Sequence, residues 1–375
     1  MDALTTPLNW QRVRLGDILT LKHGRDYKNF KLGNIPVYGS GGYMLSINNF
    51  LHNGESVCIG RKGTIDKPIY LNGKFWVVDT LFYSYSFKKS IPKFIFYAFS
   101  IIKWSNYNEA TGVPSLTKMT ISNIEIPLPP LNEQIAIANI LSALDRYLYS
   151  LDALILKKES VKKALSFELL SQRKRLKGFN QAWQRVRLGD ICEIVKGQQI
   201  NKISLNNTDK YPVINGGIDF LGYTNKFNVS KNTIAISEGG TCGYVRFMKS
   251  DFWSGGHNYS LQKISNRVNN LCLYHILKSY EKDIMKLGVG SGLKNIQLKT
   301  LKDFEIPLPP LNEQIAIANI LSALDHEIIS LKNKKRQFDN IKKALNHDLM
   351  SAKIRVLKKI NAPKVKDKPA YKGNP

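Results

Sequence analysis

The chain has 375 residues, of which 43% are hydrophobic and 22% are charged, a composition typical of two or three folded domains rather than of a disordered chain. Its 55 Lys and Arg residues outnumber its 29 Asp and Glu residues, which gives a formal net charge of +26. This charge favours a polyanionic partner, with nucleic acid as the first candidate and an anionic membrane as the second.

Membrane insertion and secretion are not expected. The longest apolar run, Phe94–Ile102, is much shorter than the roughly 20 apolar residues that a bilayer-spanning helix requires. The N-terminal residues Met1–Leu4 show no basic segment followed by an apolar stretch, so no signal peptide is expected. The four cysteines include no Cys-x-x-Cys pair, which predicts no zinc knuckle and a reducing, cytoplasmic location. These cysteines are Cys58, Cys192, Cys242 and Cys272.

The sequence repeats itself. The string EIPLPPLNEQIAIANILSALD occurs at Glu125–Asp145 and again at Glu305–Asp325, and the string WQRVRLGDI occurs at Trp10–Ile18 and again at Trp183–Ile191. Between these strings the two halves share only scattered similarity, so each half consists of a divergent domain followed by a copied arm. The predicted segments are two domains (1–125 and 181–305), two helical arms (126–180 and 306–360) and a basic tail (361–375).

Residues 1–125 are predicted to form a mixed, β-rich domain. Three strands and a helix are expected: Val57–Gly60, Lys74–Val78, Leu81–Phe87 and Pro92–Ile102. Its loops combine Gly and Ser with Lys and Arg, which can bring backbone N–H groups and cations close to phosphates and bases. The candidate DNA contacts are Tyr43, Arg61, Lys62 and Lys118, although each alone is equally consistent with a solvated surface residue.

The first arm begins with Pro127, Pro129 and Pro130, which hold an extended segment. Asn132 is then predicted to cap a helix, with Glu133 near its positive end. No proline or glycine follows until Gly178, so a helix of about 45 residues, roughly 65–70 Å long, is expected.

Residues 181–305 are predicted to form the second β-rich domain, with a helix over Leu271–Met285. Glycine-rich loops at 215–217 and 238–241 occupy places comparable to the loops of the first domain. The candidate DNA contacts here are Asn215, Lys249, Lys294 and Asn295.

The second arm repeats the heptad-like apolar spacing of the first, which indicates a coiled-coil seam. The seam positions are Ile137, Leu141, Leu144, Leu148, Leu151 and Ile155, and then Ile317, Leu321, Leu324, Ile328 and Leu331. We expect the two stripes to bury each other in antiparallel orientation, the alternative being that each arm packs only on its own domain. Four lysines interrupt the seam, Lys158, Lys162, Lys335 and Lys342, so either the seam shifts to Val161 and Ile341 or the partner is polar there.

The tail contains Lys364, Lys366, Lys368 and Lys372 and is predicted to be unstructured. The chain also lacks the sequence signatures of catalysis. It has no Asn/Asp-Pro-Pro-Tyr/Phe string of amino-methyltransferases, no Glu-x-Lys of nucleases, and no Walker, Gly-x-Ser-x-Gly or His-Glu-x-x-His motif.

With PLPPLNEQ present twice, the chain resembles the specificity subunits of type I restriction-modification systems. This resemblance implies an α+β fold with two target-recognition domains, two long helices paired as an antiparallel coiled coil, and a pseudo-twofold internal repeat. It further implies that each domain reads one half of a split double-stranded DNA site and that the helices set the gap. Two methyltransferase subunits, which bind S-adenosylmethionine, would dock on the helices, and motor-endonuclease subunits would join them; this chain itself would hold no cofactor or metal.

By the same resemblance, six residues lie at the starts of the arms: Leu131, Glu133, Gln134, Leu311, Glu313 and Gln314. Their implied role is structural or methyltransferase-facing rather than DNA-reading. Two other functions remain open at this level: a fused or divergent nuclease or methyltransferase, and a coiled-coil scaffold with lectin-like domains.

Overall fold

The computed structural model describes residues 9–356, and the chain divides into two compact units that are each discontinuous in sequence. The first unit contains residues up to 151 together with those from 334, and the second contains residues 152–333. Each unit therefore holds one domain, part of the helix that follows this domain, and part of the other long helix. The domain bounds predicted from the sequence, at residues 125, 180, 305 and 360, stay predictions. The predicted basic tail (361–375) lies outside the described residues.

The first unit contains three small sheets, of strand order β1-β10, β2-β9-β6-β7 and β4-β3-β8-β5. The strands are β1 (Gln11–Arg14), β2 (Thr20–His23), β3 (Leu32–Gly39), β4 (Gly42–Ile47), β5 (His52–Asn53), β6 (Ser56–Gly60), β7 (Ile69–Leu71), β8 (Lys74–Val77), β9 (Leu81–Tyr85) and β10 (Glu125–Leu128). The helices that begin in this unit are α1 (Leu15–Ile18), α2 (Pro92–Phe99), α3 (Lys118–Asn123) and the long α4 (Leu131–Leu170).

The second unit has sheets of order β11-β19, β12-β18-β15-β16 and β14-β13-β17. The strands are β11 (Gln184–Arg187), β12 (Glu193–Lys196), β13 (Tyr211–Ile214), β14 (Gly222–Thr224), β15 (Thr233–Ser237), β16 (Val245–Met248), β17 (Trp253–Ser254), β18 (Asn258–Gln262) and β19 (Glu305–Leu308). The helices are α5 (Leu188–Ile191), α6 (Asn270–Ser279), α7 (Glu281–Lys286), α8 (Leu298–Lys302) and the long α9 (Leu311–Met350).

The two divergent domains share one topology. Each has a four-stranded antiparallel sheet of matching strand order, and each has one parallel pair, β3 with β8 and β13 with β17. The predicted α+β class with an internal repeat is therefore confirmed, and the repeat extends into domains whose sequences do not reveal it.

The two repeated strings pair with each other within each unit. Strand β1 pairs with β10 from Gln11 opposite Leu128 to Arg14 opposite Glu125, and β11 pairs with β19 from Gln184 opposite Leu308 to Arg187 opposite Glu305. Strands β10 and β19, which contain Pro127 and Pro307, each belong to a two-stranded sheet, where the missing N–H of proline is tolerated. The strings are thus copied together because they form one structure.

Both long helices have 40 residues, about 60 Å at 1.5 Å per residue, so the prediction of 45 residues was too long. The predicted cap at Asn132 was also wrong, because the helix already begins at Leu131. The Pro130 carbonyl accepts the N–H of Gln134 at 3.0 Å, so the Asn132 side chain lies inside the first turn.

In each unit a segment of one long helix packs against a segment of the other, in antiparallel order. In the first unit the Tyr147 and Phe338 rings lie 4.7 Å apart, and Asp145 pairs with Lys342. In the second unit Lys162 pairs with Asp325 at 2.5 Å. The start of each long helix also enters the core of its own domain. Each arm therefore packs both on its own domain and on the other arm.

Three of the four seam lysines meet acidic partners, and the seam does not shift. Lys158 contacts Glu327 at 2.8 Å, and Lys162 and Lys342 have the aspartate partners described above. Val161 and Ile341, the residues to which the seam would have shifted, are 45% and 50% exposed. Of the two explanations, the polar partner is confirmed and the shift is wrong.

Three predicted elements end early and a fourth is divided. Strand β8 stops at Val77 instead of Val78. Strand β9 stops at Tyr85 because Ser86 adopts a left-handed backbone conformation at φ 55°. Helix α2 stops at Phe99 instead of Ile102. The single helix predicted over Leu271–Met285 is two helices divided at Tyr280, because the Glu281 carboxylate of α7 accepts the N–H of Val245 at 2.8 Å and holds that helix against β16. Among residues 9–356, every helix is too short or too polar to cross a lipid bilayer.

Candidate nucleic-acid interface

Three loops meet at one corner of the first domain, which we call the first corner (residues 40–43, 61–64 and 112–118). The N–H groups of Arg61 and Lys62 donate to the Thr80 carbonyl at 2.8 and 3.3 Å, and Ser40 N–H donates to the Thr80 hydroxyl at 3.3 Å. The Leu116 N–H donates to the Arg61 carbonyl at 2.8 Å. The structure therefore brings together segments that the sequence separates by more than 70 residues.

All four candidate contacts of the first domain lie in these segments, with Arg61 and Lys62 on a loop, Tyr43 near the start of β4 and Lys118 at the start of α3. The Arg61 guanidinium donates to the Asp79 carbonyl at 3.0 Å, which orients it, and Tyr43 is 62% exposed. Lys62 and Lys118 are exposed, and Lys118 opens α3. An open groove of about 810 Å³ lies beside Tyr43 and is bordered by Lys28 and Thr80. The first corner thus presents cations and an aromatic ring beside a concave surface.

The second domain has an equivalent second corner (residues 215–217, 238–241 and 290–295). Here Glu238 N–H donates to the His257 carbonyl and Ile296 N–H donates to the Glu238 carbonyl, both at 2.9 Å. These two bonds repeat those made by Arg61 in the first corner. The Asn215 side-chain oxygen accepts the N–H of His257 at 2.9 Å, so Asn215 is fixed in place.

Two glycines permit the second corner to close. A Cβ on Gly239 would lie 2.2 Å from the Asn295 side-chain oxygen, which is closer than any real contact. Gly216 has φ +78°, and its Cβ would lie 2.5 Å from the Gly239 carbonyl oxygen. These glycines bring Asn215 and Asn295 to the same corner, with the exposed Lys294 next in sequence to Asn295.

The structure does not bring Lys249 to this corner. Strands β15 and β16 form an antiparallel hairpin in which Thr233 lies opposite Met248, whereas the loop of the second corner joins the other ends of these strands. Lys249 directly follows Met248, so it lies four residues beyond Val245, the end of β16 next to that loop, which is roughly 13 Å along the hairpin.

A charged group that the sequence analysis missed lies within the second corner. Glu238 is 8% exposed, and its carboxylate accepts Lys196 Nζ at 2.7 Å and the Tyr259 hydroxyl at 3.1 Å. Burial, with this carboxylate nearby, raises the pKa of Tyr259. His257 Nδ1 lies 4.0 Å from the same carboxylate. Glu238 occupies the backbone position of Arg61, a correspondence that only the fold reveals.

The glutamates at the arm starts are buried and paired. Glu133 is 2% exposed and accepts Arg355 Nε and Nη2 at 2.8 and 3.0 Å and Trp10 Nε1 at 3.1 Å. The second unit repeats this set: Glu313 accepts Arg175 at 2.8 and 2.7 Å and Trp183 at 3.0 Å. Each arginine lies just after the end of the other long helix. The sequence signal was present, because Arg175 and Arg355 are 180 residues apart, as are Glu133 and Glu313.

The neighbouring glutamines are also internal. Gln134 donates to the carbonyls of Lys89 and Pro129 and accepts the N–H of Ile91 at 3.0 Å. Gln314 makes the same three bonds, to Arg267, Pro309 and Asn269. Leu131 and Leu311, in contrast, are 49% and 39% exposed. Of the six residues at the arm starts, four are therefore inaccessible within their own unit and two face outward.

The described part of the chain contains no candidate metal-binding site. Within residues 9–356, no group of three or more His, Cys, Asp or Glu side chains is placed to hold a metal ion. Burial raises the pKa of the Cys58, Cys192 and Cys272 thiols to about 12, so these thiols are unreactive as nucleophiles at neutral pH.

Comparison with known proteins agrees with this geometry. The profile of the family described as "Type I restriction modification DNA specificity domain" matches residues 7–158 and 180–338. A protein of Mycoplasma pneumoniae named as a type I specificity subunit is 38% identical over 42% of this chain and 44% of its own length. The specificity subunit of the Methanocaldococcus jannaschii type I enzyme MjaVIII is 26% identical over 95% of both chains.

The fold is also found among solved structures. The crystal structure of a type I restriction-modification S subunit from M. genitalium superposes with a TM-score of 0.75 at 20% identity, over 92% of this chain and 97% of that one. At this identity the likeness concerns the fold, and it includes both units of the repeat.

The pairing of the buried glutamate makes a testable prediction. Replacing Arg355 by Met removes the bidentate partner of Glu133 and leaves a buried carboxylate, so the free energy of unfolding of the first unit should fall by about 3 kcal/mol. The matched control is Arg12→Met, because Arg12 and Glu125 form an exposed pair at 3.9 Å whose loss should cost less than about 1 kcal/mol. Urea unfolding followed by tryptophan fluorescence measures both, and equal losses would contradict the structural role of Arg355.

Proposed function

The chain belongs to the family of type I restriction-modification DNA specificity domains, and we propose that it is the non-catalytic specificity subunit of such a complex. The observation that carries this proposal is the pair of corners: two units of one topology each present basic and amide side chains from three converging loops. The chain spans 44% of the length of the M. pneumoniae relative and 40% of that of a relative from Mycoplasma genitalium.

The DNA site is bipartite and asymmetric under this proposal. The two corners share a backbone frame but not side chains: Arg61 in the first occupies the position of Glu238 in the second. Arginine recognises guanine acceptors, whereas Glu accepts from cytosine and Asn is suited to adenine. Two different half-sites are therefore expected, read by Tyr43, Arg61, Lys62 and Lys118 in one unit and by Asn215, Lys294 and Asn295 in the other.

Two methyltransferase subunits would dock at the arm starts. Leu131 and Ile135 are 49% and 47% exposed at the start of α4, and Leu311 and Ile315 are 39% and 40% exposed at the start of α9. These apolar side chains are identical in the two arms, which suits two copies of one partner. The partners would bind S-adenosylmethionine, motor-endonuclease subunits would complete the restricting complex, and the assembly would act in the cytoplasm.

Deleting the gene tests the function directly. The methylome of the deletion strain should lose one split adenine-methylation motif, and restoring the gene should restore the motif. The purified chain alone, supplied with Mg²⁺ and S-adenosylmethionine, should neither methylate nor cut DNA. An unchanged methylome would reject the specificity role, and activity of the isolated chain would favour the enzymatic alternative.

Lysine substitutions test the second corner. Lys294→Ala should reduce the slope of log affinity against log salt for duplex DNA by about 1, because one phosphate contact is lost. Lys249→Ala is the matched control, since it removes the same charge at the other end of the β15–β16 hairpin and should leave the slope unchanged. If the two variants lose the same slope, DNA does not discriminate between these positions; if binding is insensitive to salt, the scaffold alternative gains support.

Aspartate substitutions test the docking sites. Ile135→Asp should weaken one methyltransferase site by about thirtyfold, as expected for a central interface residue, and Ile315→Asp should weaken the other. Mass photometry should then show complexes of one subunit to one methyltransferase for each single variant and none for the double variant. Ile203→Asp, at a position that is 91% exposed in the second domain, is the control and should retain two. Two methyltransferases on the double variant would place the docking surface elsewhere.

A further inference from the structure

The last loop before each arm carries an exposed apolar residue at its apex. In the first unit the Glu109 N–H donates to the Ser115 carbonyl at 3.1 Å and closes what we call the first tip (residues 109–115). In the second unit Val289 and Asn295 exchange two backbone hydrogen bonds of 3.0 Å and close the second tip (residues 289–295). The offset between the tips is 180 residues, the same as between the arms.

The apex residues are Val113 and Leu293, which are 54% and 79% exposed. Each follows a glycine, Gly112 or Gly292, around whose Cβ position no heavy atom lies within 4 Å. The apices therefore project into open space. The domains differ in most of their sequence, so an apolar residue after glycine at both apices is a shared property of the two units.

Both tips are joined to the corners. Gly63 N–H donates to the Pro114 carbonyl at 2.8 Å, and Lys62 forms an isolated β-bridge with Ser115. In the second unit Asn295 packs against Gly239. Leu293 thus directly precedes Lys294, and Val113 lies two residues from Ser115, which bridges Lys62. Exposed apolar side chains also lie beside the apices, at Met119 and Val289.

We propose that Val113 and Leu293 insert as apolar wedges into the base stack, one in each half-site. This inference rests on the proposed function and deepens it. An apolar side chain gains nothing from phosphates, but it gains contact area between partly unstacked base pairs, where proteins commonly insert such side chains and kink the duplex. Lys62 and Lys118 lie beside the first tip, and Lys294 belongs to the second. These cations hold the phosphates on either side of the opened step.

DNA is a better occupant of the tips than a protein partner. The loops that hold the tips carry cations and amides, which suit phosphates and base edges. The matched apolar surfaces suited to the methyltransferase lie at the arm starts instead, on Leu131, Ile135 and their repeats. A methyltransferase contact at the tips is therefore the alternative outcome of the test.

The test uses the purified full chain and a duplex carrying the split site found by methylome sequencing. 2-Aminopurine is placed in turn at each position of both half-sites and their flanking steps, because its fluorescence rises when its base unstacks. We expect a rise at one step in each half-site. Leu293→Ser should abolish the rise in the second half-site only, Val113→Ser in the first only, and each should lower affinity by about tenfold.

Leu32→Ser is the control, because Leu32 is 82% exposed on β3 and outside both tips, and it should change neither signal. Leu293→Met should retain the rise. A wild-type duplex complex without any fluorescence rise, or a rise that survives both serine substitutions, overturns the wedge. The wedge is also overturned if the serine variants bind and unstack DNA normally but no longer support methylation. That outcome would favour a methyltransferase contact at the tips. If the wild-type chain shows no preference for the methylome site over a scrambled duplex, the proposed function itself fails.

Discussion

A buried carboxylate at the start of each long helix is the constraint on which each unit depends. The Glu133 carboxylate is buried in the first unit, where it accepts two hydrogen bonds from the guanidinium of Arg355 and one from the indole N–H of Trp10. These partners lie 222 and 123 positions away in the sequence. One side chain therefore joins the residue before the first strand of the domain, the start of one long helix and the segment just after the end of the other.

This constraint explains which parts of the chain are copied. Each unit must satisfy the same buried glutamate and the same buried glutamine, so the strings around Trp10 and Glu133 return around Trp183 and Glu313. Nothing comparable restricts the loops at the corners, where a conserved backbone bonding pattern carries different side chains. The repeat thus preserves the groups that must be neutralised inside each unit and leaves free the groups that face outward.

The arms and the class of fold could be predicted from the sequence, because prolines and heptad spacing are local patterns and the duplication is visible as repeated strings. The partners of the seam lysines could not, since Asp325 and Glu327 are recognised as partners only when the two helices are aligned antiparallel. The cap at Asn132 failed because Pro130 already supplies the first helical carbonyl. Among the candidate contacts, seven lie at the corners, whereas Lys249 was chosen for its charge alone and lies at the other end of its hairpin.

Arg61 and Glu238 show how one frame can serve two recognition chemistries. Arg61 N–H donates to the Thr80 carbonyl, and Glu238 N–H donates to the His257 carbonyl. The carbonyls of Arg61 and Glu238 accept the N–H groups of Leu116 and Ile296, so the two backbones are fixed in the same way. The Arg61 side chain is oriented by a carbonyl and keeps its charge for an acceptor such as guanine. The Glu238 carboxylate is instead engaged by Lys196 and Tyr259, so under the proposed function the amides of Asn215 and Asn295 would read bases at the second corner. A change of sign at one backbone position therefore changes which neighbouring side chains would be available to DNA under the proposed function, without changing the fold that presents them.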